Sequence, residues 1–211
     1  MKQEEKSKRT RARILQAAMI EFGTKSYDMA SINVICSENQ ISKGLLYHHF
    51  KNKDALYLEC VKVCFEEMMV YMSNRAYKTD DIQGSIRNLL DVRQKFFQEN
   101  PYCGNIFFNT ILQPPEHLTG KIGELRREFD DFYRACYKDL LDRIPLRKGI
   151  SMEMAMEYFL IFQEMFNGYF RSKACENNDF HILIEDHEMR LSTILDIMLY
   201  GIADEKEERK R

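Results

Sequence analysis

The chain has 211 residues, 45% of them apolar, and a formal net charge of −2. That is enough apolar material for a substantial core and too little net charge for an intrinsically disordered chain. Gly and Pro number only 9 and 4, and Val plus Thr only 11. This scarcity of turn formers and β-branched residues argues against a sandwich, a barrel or a repeating βαβ protein and for an all-α fold.

The charge is unevenly spread. Residues 1–57 hold ten Lys/Arg against six Asp/Glu, a balance of +4, and the rest of the chain carries −6. A basic N-terminal segment on an acidic body points to a surface for a polyanion. No run of 18 apolar residues exists, so no membrane partner is expected. The charged N-terminus lacks an apolar segment, so the expected location is cytoplasmic. There the six cysteines, Cys36, Cys60, Cys64, Cys103, Cys136 and Cys175, are expected as reduced, buried thiols.

Thr10 to Phe22 reads as a first helix, with Ile14, Leu15, Ala17, Ala18 and Phe22 on one face and Arg9, Arg11 and Arg13 at its start. The three arginines are expected to touch a nucleic-acid backbone. Ser31 can cap a short second helix with Ile32 and Ile35 as its apolar pair, and Ser42 can cap a third over Lys43 to Phe50. Glu38 to Ile41 leaves room for only a tight turn between them. Two short helices so joined form a helix-turn-helix pattern.

Asp54 to about Tyr77 reads as a longer fourth helix. A fifth starts at Asp80 or Asp81 and ends before Pro101, and a short apolar helix covers Cys103 to Leu112. Glu116 to Ile144 repeats apolar residues at three and four. The last two helices, about residues 154–170 and 180–202, are apolar nearly all round, so each is expected to be buried on two sides. One side can face its own domain and the other a second subunit, which predicts a homodimer through these helices. The charged tail Asp204–Arg211 is expected to fray.

A helix-turn-helix inserts the N-terminal end of its second helix into the major groove. That end is Ser42, Lys43, Gly44 and Leu45. Gly44 allows close backbone approach. Lys43 can donate to guanine O6/N7 or to a phosphate, and Leu45 can meet a thymine methyl. Tyr47, His48 and His49 can donate to phosphates or base edges. Lys51 and Lys53, past the helix end, suit phosphate clamping, as do Ser31 and the first amides of helix 2. Leu46 and Phe50 read as core. His48 and His49 are neighbours that should point apart, which argues against a metal pair.

The string Ile14-Leu15-x-Ala17-Ala18 with Phe22, Ile32-x-x-Ile35 and Ile41-Ser42-Lys43-Gly44-x-Leu46-Tyr47-His48-x-Phe50-Lys51-x-Lys53-x-x-Leu56 resembles the TetR family of bacterial transcriptional regulators. The resemblance covers about residues 9–57 and implies a helix-turn-helix DNA-binding domain over 7–57. It also implies a larger helical effector-binding and dimerisation domain over 58–211. On the same ground Asn33, in the first turn of helix 2, is placed where the family sometimes reaches a base. The sequence departs from the family pattern at Gln40, where the turn usually has Gly, at Ser26 in place of a loop Gly, and at Ala30 in place of Thr. Asn39 tolerates left-handed geometry, so the turn is expected to shift by one residue.

The implied mechanism is release of a dimeric repressor from double-stranded operator DNA by a small-molecule effector whose identity is unknown. Candidate pocket residues are the aromatics Phe96, Phe107, Phe108 and Phe129, with Tyr133, Phe162, Phe166 and Tyr169. A Met-rich core weakly favours an apolar or aromatic effector. The alternative is an activator or chromosome-organising protein with no effector. No cofactor or metal is expected. Cys60 and Cys64 share a helix face, but thiols so spaced are mostly core. No phosphate loop, HExxH or nucleophile elbow occurs, so no enzyme activity is expected.

Overall fold

The computed structural model describes residues 2–75, 78–79, 82–176 and 179–202. Among these the chain is helical: α1 (Lys2–Thr24), α2 (Ile32–Glu38), α3 (Lys43–His49), α4 (Lys53–Ser73), α5 (Ile82–Glu99), α6 (Pro101–Leu112), α7 (Thr119–Leu141), α8 (Met152–Glu176) and α9 (Phe180–Ile202). A single 3-10 turn covers Glu116–Leu118. No strand occurs among the described residues, as the composition predicts.

Helix α1 starts eight residues before the expected Thr10. Its first turns carry ion pairs one helical turn apart, Glu4–Lys8 at 3.0 Å and Glu5–Arg9 at 2.8 Å, which support exposed helix without tertiary packing. Ser31 caps α2 by accepting from the Asn33 amide, and Ser42 caps α3 by accepting from the Leu45 amide. The expected single helix over Glu116 to Ile144 is divided. Leu118 N–H donates to the Pro115 carbonyl at 2.9 Å, a three-residue turn, before α7 begins. Helix α4 ends at Ser73; Tyr77, Asp80, Asp81 and the tail Asp204–Arg211 lie outside the described residues.

The chain divides into two compact units, one of Met1–Met68 with Phe96–Arg127 and one of Met69–Lys95 with Glu128–Arg211. The boundaries fall inside α4, α5 and α7.

The first unit is built around Ile14, Ala18 and Phe22 of α1, Ile35 of α2, Leu46 of α3 and Leu56 and Tyr57 of α4, all buried. Helix α6 is buried over most of its length and lies close against the end of α1. A Cβ at Gly23 would sit 2.6 Å from Tyr102 Cβ and 2.7 Å from its Cα, so only glycine permits this approach. Asn105 Nδ2 donates to the Gly23 carbonyl at 2.7 Å and locks the register. Cys36, Cys60, Cys64 and Cys103 are buried here, as expected. Burial pushes the Cys60 and Cys64 thiols up, so they stay protonated.

In the second unit Leu140 and Leu141 of α7, Phe159 and Phe170 of α8 and Leu183 and Leu191 of α9 form the core. Cys136 is also buried here. Arg143, just past α7, ties that end to the first turn of α5 and to the segment before it, donating to Ser85 Oγ at 3.0 Å and to the Thr79 carbonyl.

Candidate nucleic-acid interface and effector cavity

Leu46 and Phe50 are buried, and this sets which side of α3 faces outward. Ser42, Lys43, Gly44, Leu45, Tyr47 and His48 are all exposed. A Cβ at Gly44 would meet nothing within 4 Å, so the outer surface is open there. The seven-residue helix thus presents its first turn, with Leu45 and Tyr47, to solvent, an arrangement that suits a groove reader.

Lys51 is exposed beyond the helix end, and Asn33 is exposed on the first turn of α2. Ser31 is half-buried; its N–H donates to Glu21 Oε1 at 2.8 Å, which fixes the start of α2 against α1. His49 is half-buried, and its ring meets that of His48 edge to face with centroids 5.1 Å apart. The two histidines therefore touch rather than point apart. Among the described residues no group of three or more His, Cys, Asp or Glu could hold a metal.

Lys53 is placed differently from Lys51. Its Nζ lies 4.4 Å above the Tyr27 ring. Burial pulls its pKa down, while Asp28, Asp54 and Glu21 oppose the shift. Tyr27 Oη donates to Asp54 Oδ1, and His117 Nε2 lies 3.3 Å from the same oxygen.

One expectation is corrected. The turn between α2 and α3 does not shift: Gln40 itself takes the left-handed conformation at φ 53°, and Asn39 stays at φ −108°. Arg13 explains how. Its Nη2 donates to the Asn39 carbonyl at 2.6 Å and the Gln40 carbonyl at 3.0 Å, bracing the turn from α1. Arg9 and Arg13 are exposed and Arg11 is half-buried. Arg11 pairs with Glu59 at 2.6 Å and lies 5.0 Å over the Phe50 ring, and Arg9 pairs with Glu5.

In the second unit a cleft with a cavity volume of about 70 Å³ lies between α5, α7, α8 and α9. Of the eight aromatics expected at a pocket, Tyr133 and Phe162 line it. Phe129 packs on Tyr133 with centroids 4.8 Å apart, and Phe166 lies against Phe170 and His187. Tyr169 is exposed on α8. Phe96, Phe107 and Phe108 belong to the first unit, where Phe107 and Phe108 stack edge to face at 5.3 Å. Sequence reasoning missed Arg93, Tyr137 and Phe159, which also line the cleft.

Helices α8 and α9 also carry an exposed apolar stripe. Met154, Tyr158, Ile161, Met165 and Tyr169 recur at three and four along α8, and Ile182, Met189 and Ile197 at seven and eight along α9. Met165 and Met189 are each 70% exposed.

Residues 14–60 match the family model described as "Bacterial regulatory proteins, tetR family". The biofilm operon icaADBC HTH-type negative transcriptional regulator IcaR of Staphylococcus aureus (strain Newman) is 24% identical over 115 residues, 52% of this chain and 58% of that protein. The transposon Tn10 TetC protein of Escherichia coli is 34% identical over 82 residues, 39% of this chain and 40% of that protein. The chain thus spans about half the length of these curated relatives.

Two solved structures share the fold along almost the whole chain. The FadR regulator of Bacillus subtilis in complex with stearoyl-CoA has a TM-score of 0.61 at 15% identity, covering 90% of this chain and 98% of that one. A TetR family transcriptional regulator from Chloroflexus aurantiacus has a TM-score of 0.57 at 18% identity, covering 93% and 94%. No helix among the described residues is long and apolar enough to cross a membrane.

Proposed function

The chain belongs to the TetR family of transcriptional regulators, and from that premise we propose that it is a homodimeric repressor released from operator DNA by a small-molecule effector. The observation that carries the reading is the outward first turn of α3. Leu46 and Phe50 anchor the helix while Ser42, Lys43, Gly44, Leu45, Tyr47 and His48 stand free to enter a major groove. Lys43 reads a base, Leu45 and Tyr47 add apolar and hydroxyl contacts, and Ser31, Asn33, His49 and Lys51 fix the register on phosphates or base edges. Lys53 acts mainly by seating the start of α4 on Tyr27, and its ammonium adds to the positive potential there.

Functionally, residues 7–57 are the DNA-binding domain and 58–211 the effector and dimerisation domain. The exposed stripes of α8 and α9 supply the dimer seam, with a second copy of this chain as the occupant. Two such helices per subunit, apolar on their outer faces, form a four-helix contact. The effector binds the cleft of the second unit and favours an arrangement whose two α3 helices no longer match grooves about 34–36 Å apart. It does so only by binding that arrangement more tightly than the DNA-bound one. The FadR neighbour, whose structure holds stearoyl-CoA, supports a small molecule as effector at the level of class.

The test is sedimentation of the full chain together with selection of DNA from a random-sequence pool. A dimer enriching a two-fold symmetric site is expected, and Met165→Lys with Met189→Lys should give monomers that no longer enrich it. A wild-type monomer, or a pool with no enriched sequence, contradicts the reading.

A further inference from the structure

Helix α1 extends past the part of the domain it packs. Its first buried residue is Ile14, and every residue from Gln3 to Arg9 is exposed. Ala12 is the one apolar side chain between residues 3 and 13. These turns bury almost nothing, although a helix in a folded domain gains most of its stability from packing. The stretch holds five cations, Lys6, Lys8, Arg9, Arg11 and Arg13, against two carboxylates, Glu4 and Glu5.

The charges are sorted by face. At 3.6 residues per turn, Lys6 and Arg9 fall on the side of α1 that carries Arg13, seven and four residues before it. Glu4, nine before, falls on the opposite side with Lys8, and those two pair at 3.0 Å. Lys6 has no ion pair or hydrogen bond among the described residues. Arg9 pairs with Glu5 at 2.8 Å, but the two side chains are 79% and 64% exposed, so the pair is weak and open to exchange.

Arg13 fixes where this face begins. Its guanidinium donates to the Asn39 and Gln40 carbonyls, just short of Ser42, which caps α3. On the other side of α1, Arg11 pairs with Glu59 and lies over the Phe50 ring. The root of the exposed turns is thus held beside the start of α3, and all of these residues belong to the first unit. From Arg13 to Lys6 the face runs about 10 Å at 1.5 Å per residue, or about three base pairs at 3.4 Å each.

A row of cations without apolar neighbours suits a polyanion recognised by charge, and its continuity with the start of α3 makes the same duplex the occupant. Building on the DNA reading above, we infer that the Lys6–Arg9 face of α1 is a second, sequence-independent contact that binds backbone phosphates beside the bases read by α3.

Two double variants of equal charge test it, each in the full chain, with the DNA site enriched from the random pool and with scrambled DNA, from 50 to 200 mM salt. Lys6→Gln with Arg9→Gln strips the face. Lys8→Gln with Lys62→Gln removes the same charge from the opposite side of α1 and from α4. Glutamine is close to Lys and Arg in helix propensity, so α1 should persist in both. Each phosphate contact contributes about 0.9 to the salt slope. The first pair should therefore lower the slope by about 1.8 and shrink the loss of affinity between 50 and 200 mM about twelvefold. Its preference for the enriched site over scrambled DNA should stay within about twofold of wild type, because phosphate contacts carry no sequence information. The second pair should leave the slope within about 0.5 of wild type. An unchanged slope in the first pair, or equal changes in both, would overturn the inference and leave the α3 reading standing. A wild type with no preferred site contradicts base reading by α3, and the slopes on scrambled DNA then still decide the α1 contact. A wild type that binds no DNA overturns both.

Discussion

Replacing Gln40 with glycine isolates the strain in the turn between α2 and α3. Gln40 is the one non-glycine residue among those described with a positive φ, 53°. An L residue in this region costs about 1–2 kcal/mol through contact of Cβ with the backbone. Glycine removes that cost but returns about 0.5–1 kcal/mol through its freer unfolded chain. The Gln40 side chain is exposed, and the bond it shares with Arg13 uses its carbonyl, which glycine keeps. The expected net gain is therefore about 0.5–1 kcal/mol, or about 1–4 °C in Tm for a chain of this size. Urea unfolding of the wild type, Gln40→Gly and Gln40→Ala measures it at constant m. Alanine keeps the Cβ and should stay within about 0.5 kcal/mol of wild type. Gln40→Gly no more stable than Gln40→Ala would refute the argument that backbone strain, rather than a side-chain contact, marks this position.

Other substitutions separate packing from recognition. Gly23→Ala should cost about 1–3 kcal/mol by overpacking, and Tyr102→Ala should not rescue it, because the Tyr102 Cα alone stands 2.7 Å from the new Cβ; a full rescue in urea melts would place the conflict in the ring instead. Tyr47→Ala should change stability by less than about 0.5 kcal/mol yet weaken specific DNA binding, whereas Leu46→Ala, at a fully buried site, should cost about 2–5 kcal/mol. Lys43→Ala should lose about 1–3 kcal/mol at its preferred site alone, while Lys51→Ala should weaken all sequences alike and flatten the salt slope. His187 has its pKa lowered by burial, against the Glu188 hydrogen bond. The unfolded chain therefore binds the proton first. Stability from this group is complete above about pH 6.5 and falls as pH drops below that value. Melts from pH 7.5 to 5 should show a smaller loss in His187→Gln than in wild type; parallel losses would mean that His187 does not contribute.

The helix-turn-helix was legible because its signals are local. Ser31 and Ser42 announce caps, Ile35, Leu46 and Phe50 fall at helical spacing, and the short gap between them permits one turn. The outward set at the start of α3 followed from the same periodicity. What escaped was tertiary. Arg13 looks like any basic residue near a helix start until the carbonyls of Asn39 and Gln40 come within its reach, 26 and 27 residues away. Gly23 directly follows the expected helix end at Phe22, and only the approach of Tyr102 shows why no Cβ fits. The cleft was harder still. Phe107 and Phe108 have the same composition signal as Phe162, but they fill the core of the first unit, while Arg93 and Tyr137 sit on helices whose polar residues otherwise read as solvated.

The central claim is that the exposed face of α3 reads DNA as part of a dimer. Fluorescence anisotropy of the full chain with labelled DNA from just upstream of its gene, with scrambled DNA and a salt series, tests it most directly. Nanomolar binding to the upstream DNA with two chains per site, at least a thousandfold tighter than to scrambled DNA, is the predicted result. Equal and strongly salt-dependent binding to both DNAs would contradict base reading by this face.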